Sequence, residues 1–231
     1  MDFSGFEKLS LVDYDDNLTA TLFMAGCPFR CPFCHNGDLV LHPERAPKIP
    51  FDEILEYLKK RQGVLDAVCI SGGEPTLMPD LEEKIRAIRE IGYLIKLDSN
   101  GCNPKVVRSL IEKGLVDYVA MDIKNSKGKY MATCGTVIDL AEIEESVKLL
   151  MTSGVRYEFR TTMMEEFHDE EDIVEIARWI QGAERYFLQR YIDSPSCIRH
   201  NFHEVPVEKA KKFIEAIKPY IPNAALRGYD L

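Results

Sequence analysis

Hydrophobic and polar positions along the chain alternate between two periods. Short runs rich in branched and aromatic residues read as strands over Thr19–Met24, Ala67–Ser71, Tyr93–Ser99, Asp117–Ile123, Arg156–Met163 and Arg185–Tyr191. Between them, apolar residues recur at three- and four-residue spacing. This predicts helices over Phe51–Arg61, Leu81–Ile91, Pro104–Gly114, Ala141–Gly154, Glu170–Ile180 and Pro206–Ile217. In the first, Ile54, Leu55 and Leu58 share a face. Gly92 closes the second, and the third carries proline near its first turn and glycine after its end. A strand-like "AALRGY" follows the last helix.

Six strand–helix units in series predict an α/β fold with a parallel sheet and right-handed crossovers. Six are too few for a closed eight-stranded barrel, which leaves a partial barrel or a doubly wound sheet. Both place ligands at the carboxyl ends of the strands. No linker or low-complexity stretch interrupts the pattern, so residues 1–231 are expected to form a single domain.

Composition narrows the function. A net charge of −9 argues against a nucleic-acid surface or an anionic membrane surface as partner. No apolar run reaches the length of a membrane span, and the first residues lack a secretory pattern, so a cytoplasmic protein is expected. There, seven cysteines are not read as disulfides. Cys69, Cys102, Cys134 and Cys197 are scattered and read as small buried apolar residues. Cys27, Cys31 and Cys34 are not scattered.

Chemistry gathers where the strands end. The segments there are "AGCPFRCPFCHN", "SGGEPTL", "KLDSNG", "AMDIK", "FRTT" and "LQRY". In a parallel sheet they converge on one rim. Three thiolates on one tight loop hold three corners of a metal site, and soft thiolates select zinc or iron–sulfur. Three protein ligands leave one position open, which is the logic of a catalytic centre. His35 as a fourth zinc ligand is disfavoured, because adjacent Cys34 and His35 do not easily reach two corners of one tetrahedron.

The loop "CPFRCPFC" resembles the signature of the radical S-adenosylmethionine superfamily. "SGGEP" is similar to that family's GGE motif, "LDSNG" to its usual LDTNG with Ser99 keeping the hydroxyl, and "MDIK" to a D-x-K segment. "CHN", Cys34 to Asn36, resembles the activators of glycyl radical enzymes. Along its whole length the chain is similar to the short activators of anaerobic ribonucleoside-triphosphate reductase.

The resemblance implies a partial (β/α)6 barrel. It also implies a 4Fe–4S cluster on Cys27, Cys31 and Cys34, with S-adenosylmethionine chelating the fourth iron. Cleavage would give a 5′-deoxyadenosyl radical that takes hydrogen from a glycine of a partner, anaerobic ribonucleotide reductase being favoured. A low-potential electron donor is implied as well. Phe33 would wall the adenine, His35 follows the last ligand, and Asn36 would hydrogen-bond the nucleoside or cap the turn. Gly72 and Gly73 would allow close backbone approach, and Glu74 would meet the methionine ammonium. Asp98 and Asn100 would face the ribose, Asp122 and Lys124 the cavity, Lys124 and Arg160 the methionine carboxylate, and Gln189 the adenine. Read alone, "GGEP" is also a turn, and the charged residues are also ordinary ion pairs. No general acid or base is required, so no catalytic residue is named. His168, His200 and His203 are read as loop or tail residues, and the acids of "MEEFHDEEDI" as a solvated helix start. The rival readings are an activator of pyruvate formate-lyase, another radical S-adenosylmethionine enzyme, or an iron–sulfur or zinc-binding interaction protein.

Overall fold

The computed structural model describes residues 2–230. One eight-stranded sheet runs through it in chain order. The strands are β1 (Gly5–Ser10), β2 (Thr19–Met24), β3 (Ala67–Gly72), β4 (Leu94–Ser99), β5 (Tyr118–Asp122), β6 (Arg156–Met163), β7 (Tyr186–Arg190) and β8 (Ala224–Arg227). β1 is antiparallel to β2, and every later neighbour is parallel. The six strands expected from sequence are β2 to β7, and "AALRGY" supplies β8. β1 was not expected: its half-exposed, polar-interrupted "GFEKLS" matches neither period over enough residues to register.

The helices are α1 (Gly37–Leu41), α2 (Phe51–Lys60), α3 (Leu81–Ile91), α4 (Pro104–Glu112), α5 (Tyr130–Cys134), α6 (Leu140–Thr152), α7 (Glu170–Trp179) and α8 (Val207–Ile217). The longer ones bury one stripe, such as Ile54 and Leu58 in α2 and Leu81, Ile85 and Ile88 in α3. Five-residue α1 and α5 are too short to show a helical period and escape the sequence reading.

Strand alternation sorts the sheet into two faces. Ile95 and Leu97 of β4, Val119 and Met121 of β5, and Tyr157 and Phe159 of β6 join the large apolar core. Their neighbours face the other way: Lys96 and Asp98, Tyr118 and Asp122, Glu158 and Arg160. The inner face is therefore ionic.

The sheet is open, with β1 and β8 as its edges, yet it curls round. Asp15, just beyond β1, lies 3.6 Å from Arg227 of β8 and 3.4 Å from Arg185. The segment carrying Asp15 closes the lower end of the curl. Tyr14 packs on Tyr118, ring centroids 5.3 Å apart, in a small cluster with Ala67 and Ala120. Asp13 accepts from Thr21 at 2.5 Å through its carboxylate and from Lys96 at 2.5 Å through its carbonyl. Among the described residues, no helix is long and apolar enough to cross a membrane.

His168 lies in the loop between β6 and α7, as expected, yet it is only 1% exposed. Its Nδ1 accepts from Met164 N–H at 3.2 Å, and its Nε2 lies 2.9 Å from the Lys124 carbonyl oxygen. Asp172 is not solvated either. It forms a capping box with Asp169 at the start of α7 and accepts from Ser126 Oγ at 3.1 Å. Its carboxylate looks like one acid among several in sequence, because only tertiary packing buries it.

Candidate functional site

The upper end of the curl is a cavity of about 260 Å³. The segment after β2 enters it first, bringing Cys27, Cys31, Phe33, Cys34, His35 and Asn36 to the wall. This segment is anchored on every side. Asn36 Nδ2 donates to the Gly72 carbonyl oxygen at 2.9 Å. The 3.0 Å bond from Gly37 N–H to the Ser196 oxygen and the 2.7 Å bond from Arg199 N–H to the Pro32 oxygen tie it to the stretch beyond β7. His35 Nε2 lies 2.6 Å from the Ile192 oxygen, and its ring stacks on Tyr191 at 5.8 Å.

Gly72 and Gly73 line the cavity, and their bare backbones also let the cysteine segment lie close. A Cβ on Gly72 would stand 2.3 Å from Met24 N, and one on Gly73 2.0 Å from the Gly26 oxygen. Gly73 N–H donates to the Met24 oxygen at 2.7 Å and Glu74 N–H to the Gly26 oxygen at 2.8 Å.

Among the expected site residues, Glu74 is the one that does not line the cavity. Its side chain is 1% exposed. Oε1 accepts from Thr76 N–H at 3.1 Å, Thr76 Oγ1 at 2.6 Å and Ser99 Oγ at 2.9 Å, and Oε2 accepts from Asn100 N–H at 2.7 Å. Burial raises its pKa against the pull of these four bonds. The carboxylate is a strut joining the ends of β3 and β4.

The remaining expected residues, Asp98, Asn100, Asp122, Lys124, Arg160 and Gln189, all line the cavity. Four of them, together with Lys96, form a ladder of alternating charge across β4, β5 and β6. Lys96 Nζ lies 3.0 Å from Asp98 Oδ1, and Asp98 Oδ2 is 3.4 Å from Arg160 Nη1. Arg160 Nε meets Asp122 Oδ1 at 2.8 Å, and Asp122 Oδ2 meets Lys124 Nζ at 2.9 Å. Burial alone would raise both carboxyl pKa values. Arg160 and the flanking lysines outweigh it, so Asp98 and Asp122 sit below the usual carboxylate range. Burial likewise pulls Lys124 down, and Asp122 with Cys31 more than restores it, to well above an ordinary lysine. Sequence reasoning found the upper rungs from their place at strand ends. It missed Lys96, one pleat lower, and Thr162, which faces the cavity in register with Gln189.

All three cysteines are free thiols. Burial pushes Cys27 up to about 12 and raises Cys34. A hydrogen bond with Cys134 lowers Cys31 against the effect of its burial. Cys27 Sγ accepts from Phe29 N–H at 3.4 Å and from Asn100 Nδ2 at 3.5 Å. The donor set is therefore soft, unbridged and gathered on one cavity, with a cation beside it, and it fits a thiolate-bound iron–sulfur cluster. Among the described residues, no three His, Cys, Asp or Glu side chains converge on one ion-sized point. A cluster's thiolates sit at separate corners and do not need to.

Known proteins resemble this arrangement. The family model described as the Radical SAM superfamily matches residues 21–180. A Methanocaldococcus jannaschii protein named as a candidate glycyl-radical enzyme activating enzyme is 34% identical over 234 residues, covering 97% of this chain and 95% of its own. The pyruvate formate-lyase-activating enzyme of Staphylococcus aureus strain USA300 is 33% identical over 129 residues, or 52% of this chain and 51% of its own. Among solved structures, Streptococcus suis SuiB bound to S-adenosylmethionine superposes with a TM-score of 0.71 at 16% identity. It covers 90% of this chain, which spans about half, 52%, of the SuiB chain. At that identity the likeness is one of fold, a partial barrel.

Proposed function

The chain belongs to the radical S-adenosylmethionine superfamily, in its glycyl-radical-enzyme activating group, and on that premise we propose that it installs a glycyl radical on anaerobic ribonucleoside-triphosphate reductase. Enzymes of this family use a 4Fe–4S cluster and S-adenosylmethionine. The observation that carries the reading is the meeting of three unbridged thiols with Lys124 in one cavity. Held by Cys27, Cys31 and Cys34, such a cluster would supply the reducing electron for cleavage of S-adenosylmethionine and so the hydrogen abstraction from the partner's glycine.

The chain's own residues bind and orient. Cys27, Cys31 and Cys34 hold the iron as thiolates. Lys124 has three donors and gives one to Asp122, which leaves the others for a carboxylate of the cofactor. Arg160 already serves two aspartates, so it braces the cavity wall and leaves the carboxylate to Lys124. Phe33 packs on Phe167 at 6.0 Å and offers the cavity a rigid aromatic side. Asp98 and Asn100 stand at the end of β4 for the ribose, and Gln189 at the end of β7 for the adenine. His35 and Asn36 keep the cysteine loop in place. The sheet runs through the whole described chain, which supports reading residues 1–231 as a single domain. Free thiols suit a reducing, cytoplasmic setting with a low-potential electron donor.

Preference for the reductase as partner rests on resemblance along the whole chain. A second reading, activation of pyruvate formate-lyase, is favoured by relatives of that name, which match about half of this chain. The test is anaerobic. The reconstituted protein is reduced, given S-adenosylmethionine and mixed with each candidate partner, and the electron paramagnetic resonance spectrum is recorded. A glycyl doublet on the reductase is expected. A doublet on pyruvate formate-lyase alone overturns the partner and spares the chemistry.

A further inference from the structure

The first of the three cavity thiols, Cys27, receives two N–H donors. One is the main chain of Phe29, on the same loop, at 3.4 Å. The other is the Asn100 side-chain amide, at 3.5 Å, from the segment that follows β4. Sulfur is larger than oxygen, so hydrogen bonds to it run longer than the usual N–H···O length. The loop makes the first bond by itself. The second comes from a residue 73 positions away and exists only because the sheet brings the two strand ends together.

A neighbour settles which end of the Asn100 amide faces the sulfur. Asn100 Oδ1 accepts from Cys102 N–H at 2.9 Å. Turning the amide over would aim two N–H groups at each other and set the oxygen against Cys27, so Nδ2 is the end at the sulfur. The main chain beneath is held as firmly. Asn100 N–H donates to Glu74 Oε2 at 2.7 Å, and the Gly101 oxygen accepts from Ser146 Oγ at 2.7 Å. Gly101 turns at φ +79, where a Cβ would stand 2.1 Å from Met121 Cε. Glu74 secures the acceptor's side too, because its N–H donates to the oxygen of Gly26, the residue before Cys27. One residue therefore fixes the donor through its side chain and the acceptor's loop through its backbone. Asn100 is buried, so water does not compete freely for the amide.

A side-chain amide does not titrate; its N–H groups are donors at every working pH. Hydrogen bonds to ligating sulfurs are one of the levers by which a protein sets an iron–sulfur potential. Reduction adds negative charge to the cluster and its thiolates. A fixed donor aimed at one of those sulfurs therefore favours the reduced state over the oxidised one.

We propose that the Asn100 amide, held in place by Glu74 and donating to Cys27 Sγ, raises the midpoint potential of the cluster. This rests on the reading of Cys27, Cys31 and Cys34 as the cluster ligands. Nδ2 carries two hydrogens, so one can serve the sulfur while the other serves the ribose. The Phe29 N–H is untouched by changes at position 100 and forms a constant background.

The experiment is a redox titration of reconstituted wild-type, Asn100→Leu and Asn100→Ala proteins. It is run without S-adenosylmethionine, so that a contact to the ribose stays out of the reading. Iron is counted in each protein, and the reduced cluster is followed by its electron paramagnetic resonance signal. Leucine keeps the amide's shape and removes its N–H; alanine removes both. Each variant is expected to keep its iron and to lower the reduced-to-oxidised ratio at fixed potential by about three- to tenfold. A tenfold change corresponds to about 59 mV for a one-electron couple. A wild-type or raised midpoint in either variant at full iron would overturn the proposal. Loss of iron from both variants would overturn it as well, because the amide would then be a prop for the cysteine loop. A wild-type chain that takes up no iron would instead remove the ligand reading, and this proposal with it.

Discussion

Arg160 and Asp122 stand opposite each other in the β5–β6 register, and the Arg160 Nε donates to Asp122 Oδ1 at 2.8 Å. Through a second nitrogen the same guanidinium reaches Asp98 on the next strand. One cation thus holds two carboxylates that would otherwise repel each other inside the barrel. Replacing it with methionine leaves both acids without their shared partner. Because Asp122 borders the cavity, where water can reach it, the cost should fall at the low end for a broken buried pair, about 3 kcal/mol. Urea unfolding of Arg160→Met against wild type measures it, and an unchanged midpoint would show that the ladder is not structural.

Lys124 and Glu74 should separate binding from stability. Lys124→Met keeps the fold's apolar core and removes the ammonium beside the thiols, so affinity for S-adenosylmethionine should fall by about ten- to hundredfold with iron retained. Glu74→Gln should do the reverse. It disturbs four internal bonds, costs about 1–3 kcal/mol of stability, and leaves the affinity of the folded protein within about threefold of wild type. Calorimetric binding beside thermal unfolding reads both effects. Equal affinity losses in the two variants would place Glu74 at the ligand after all.

Cys31→Ala should abolish bound iron and cleavage of S-adenosylmethionine together. Cys69→Ala should leave iron content at the wild-type level, because Cys69 lies buried mid-strand in β3, away from the cavity. Iron and sulfide assays with 5′-deoxyadenosine detection decide this. Full iron in Cys31→Ala would remove the cluster assignment.

Stability should fall on mild acidification because of His168. Burial lowers its pKa, so the folded protein keeps the ring neutral while the unfolded chain takes a proton below about pH 6.5. The unfolded state then binds more protons, and stability is lost as pH falls from the unfolded value toward the folded one, by at most about 1.4 kcal/mol per pH unit. Asp98 and Asp122 act in a lower window. Their folded pKa values are depressed, so their contribution is complete above about pH 4 and declines below it. Unfolding free energies from pH 7 to 5, for wild type and His168→Gln, test the upper window, and a flat wild-type profile would contradict it.

What the sequence made legible follows from what repeats. The six strand–helix units announce themselves by period, and strand ends announce a rim, so most of the cavity's lining was readable. What escaped was short or depended on a distant partner. Five-residue α5 has no period, and without α5 Cys134 is one more scattered cysteine. Glu74 sits in a motif that looks like a contact, and only the Thr76, Ser99 and Asn100 donors reveal it as internal. Lys96 looks like any charged strand residue until Asp13 and Asp98 close on it. His168 is a loop residue whose burial shows only when its two ring nitrogens are seen bridging Met164 and Lys124.

Tyr14 has a consequence for traffic. With its ring on Tyr118 and Asp13 clasping Thr21 and Lys96, the floor of the barrel is closed by side chains. The chamber is a cul-de-sac. Whatever enters must back out by the same door, so the last guest to arrive is the first that can leave, and anything seated beneath it waits its turn.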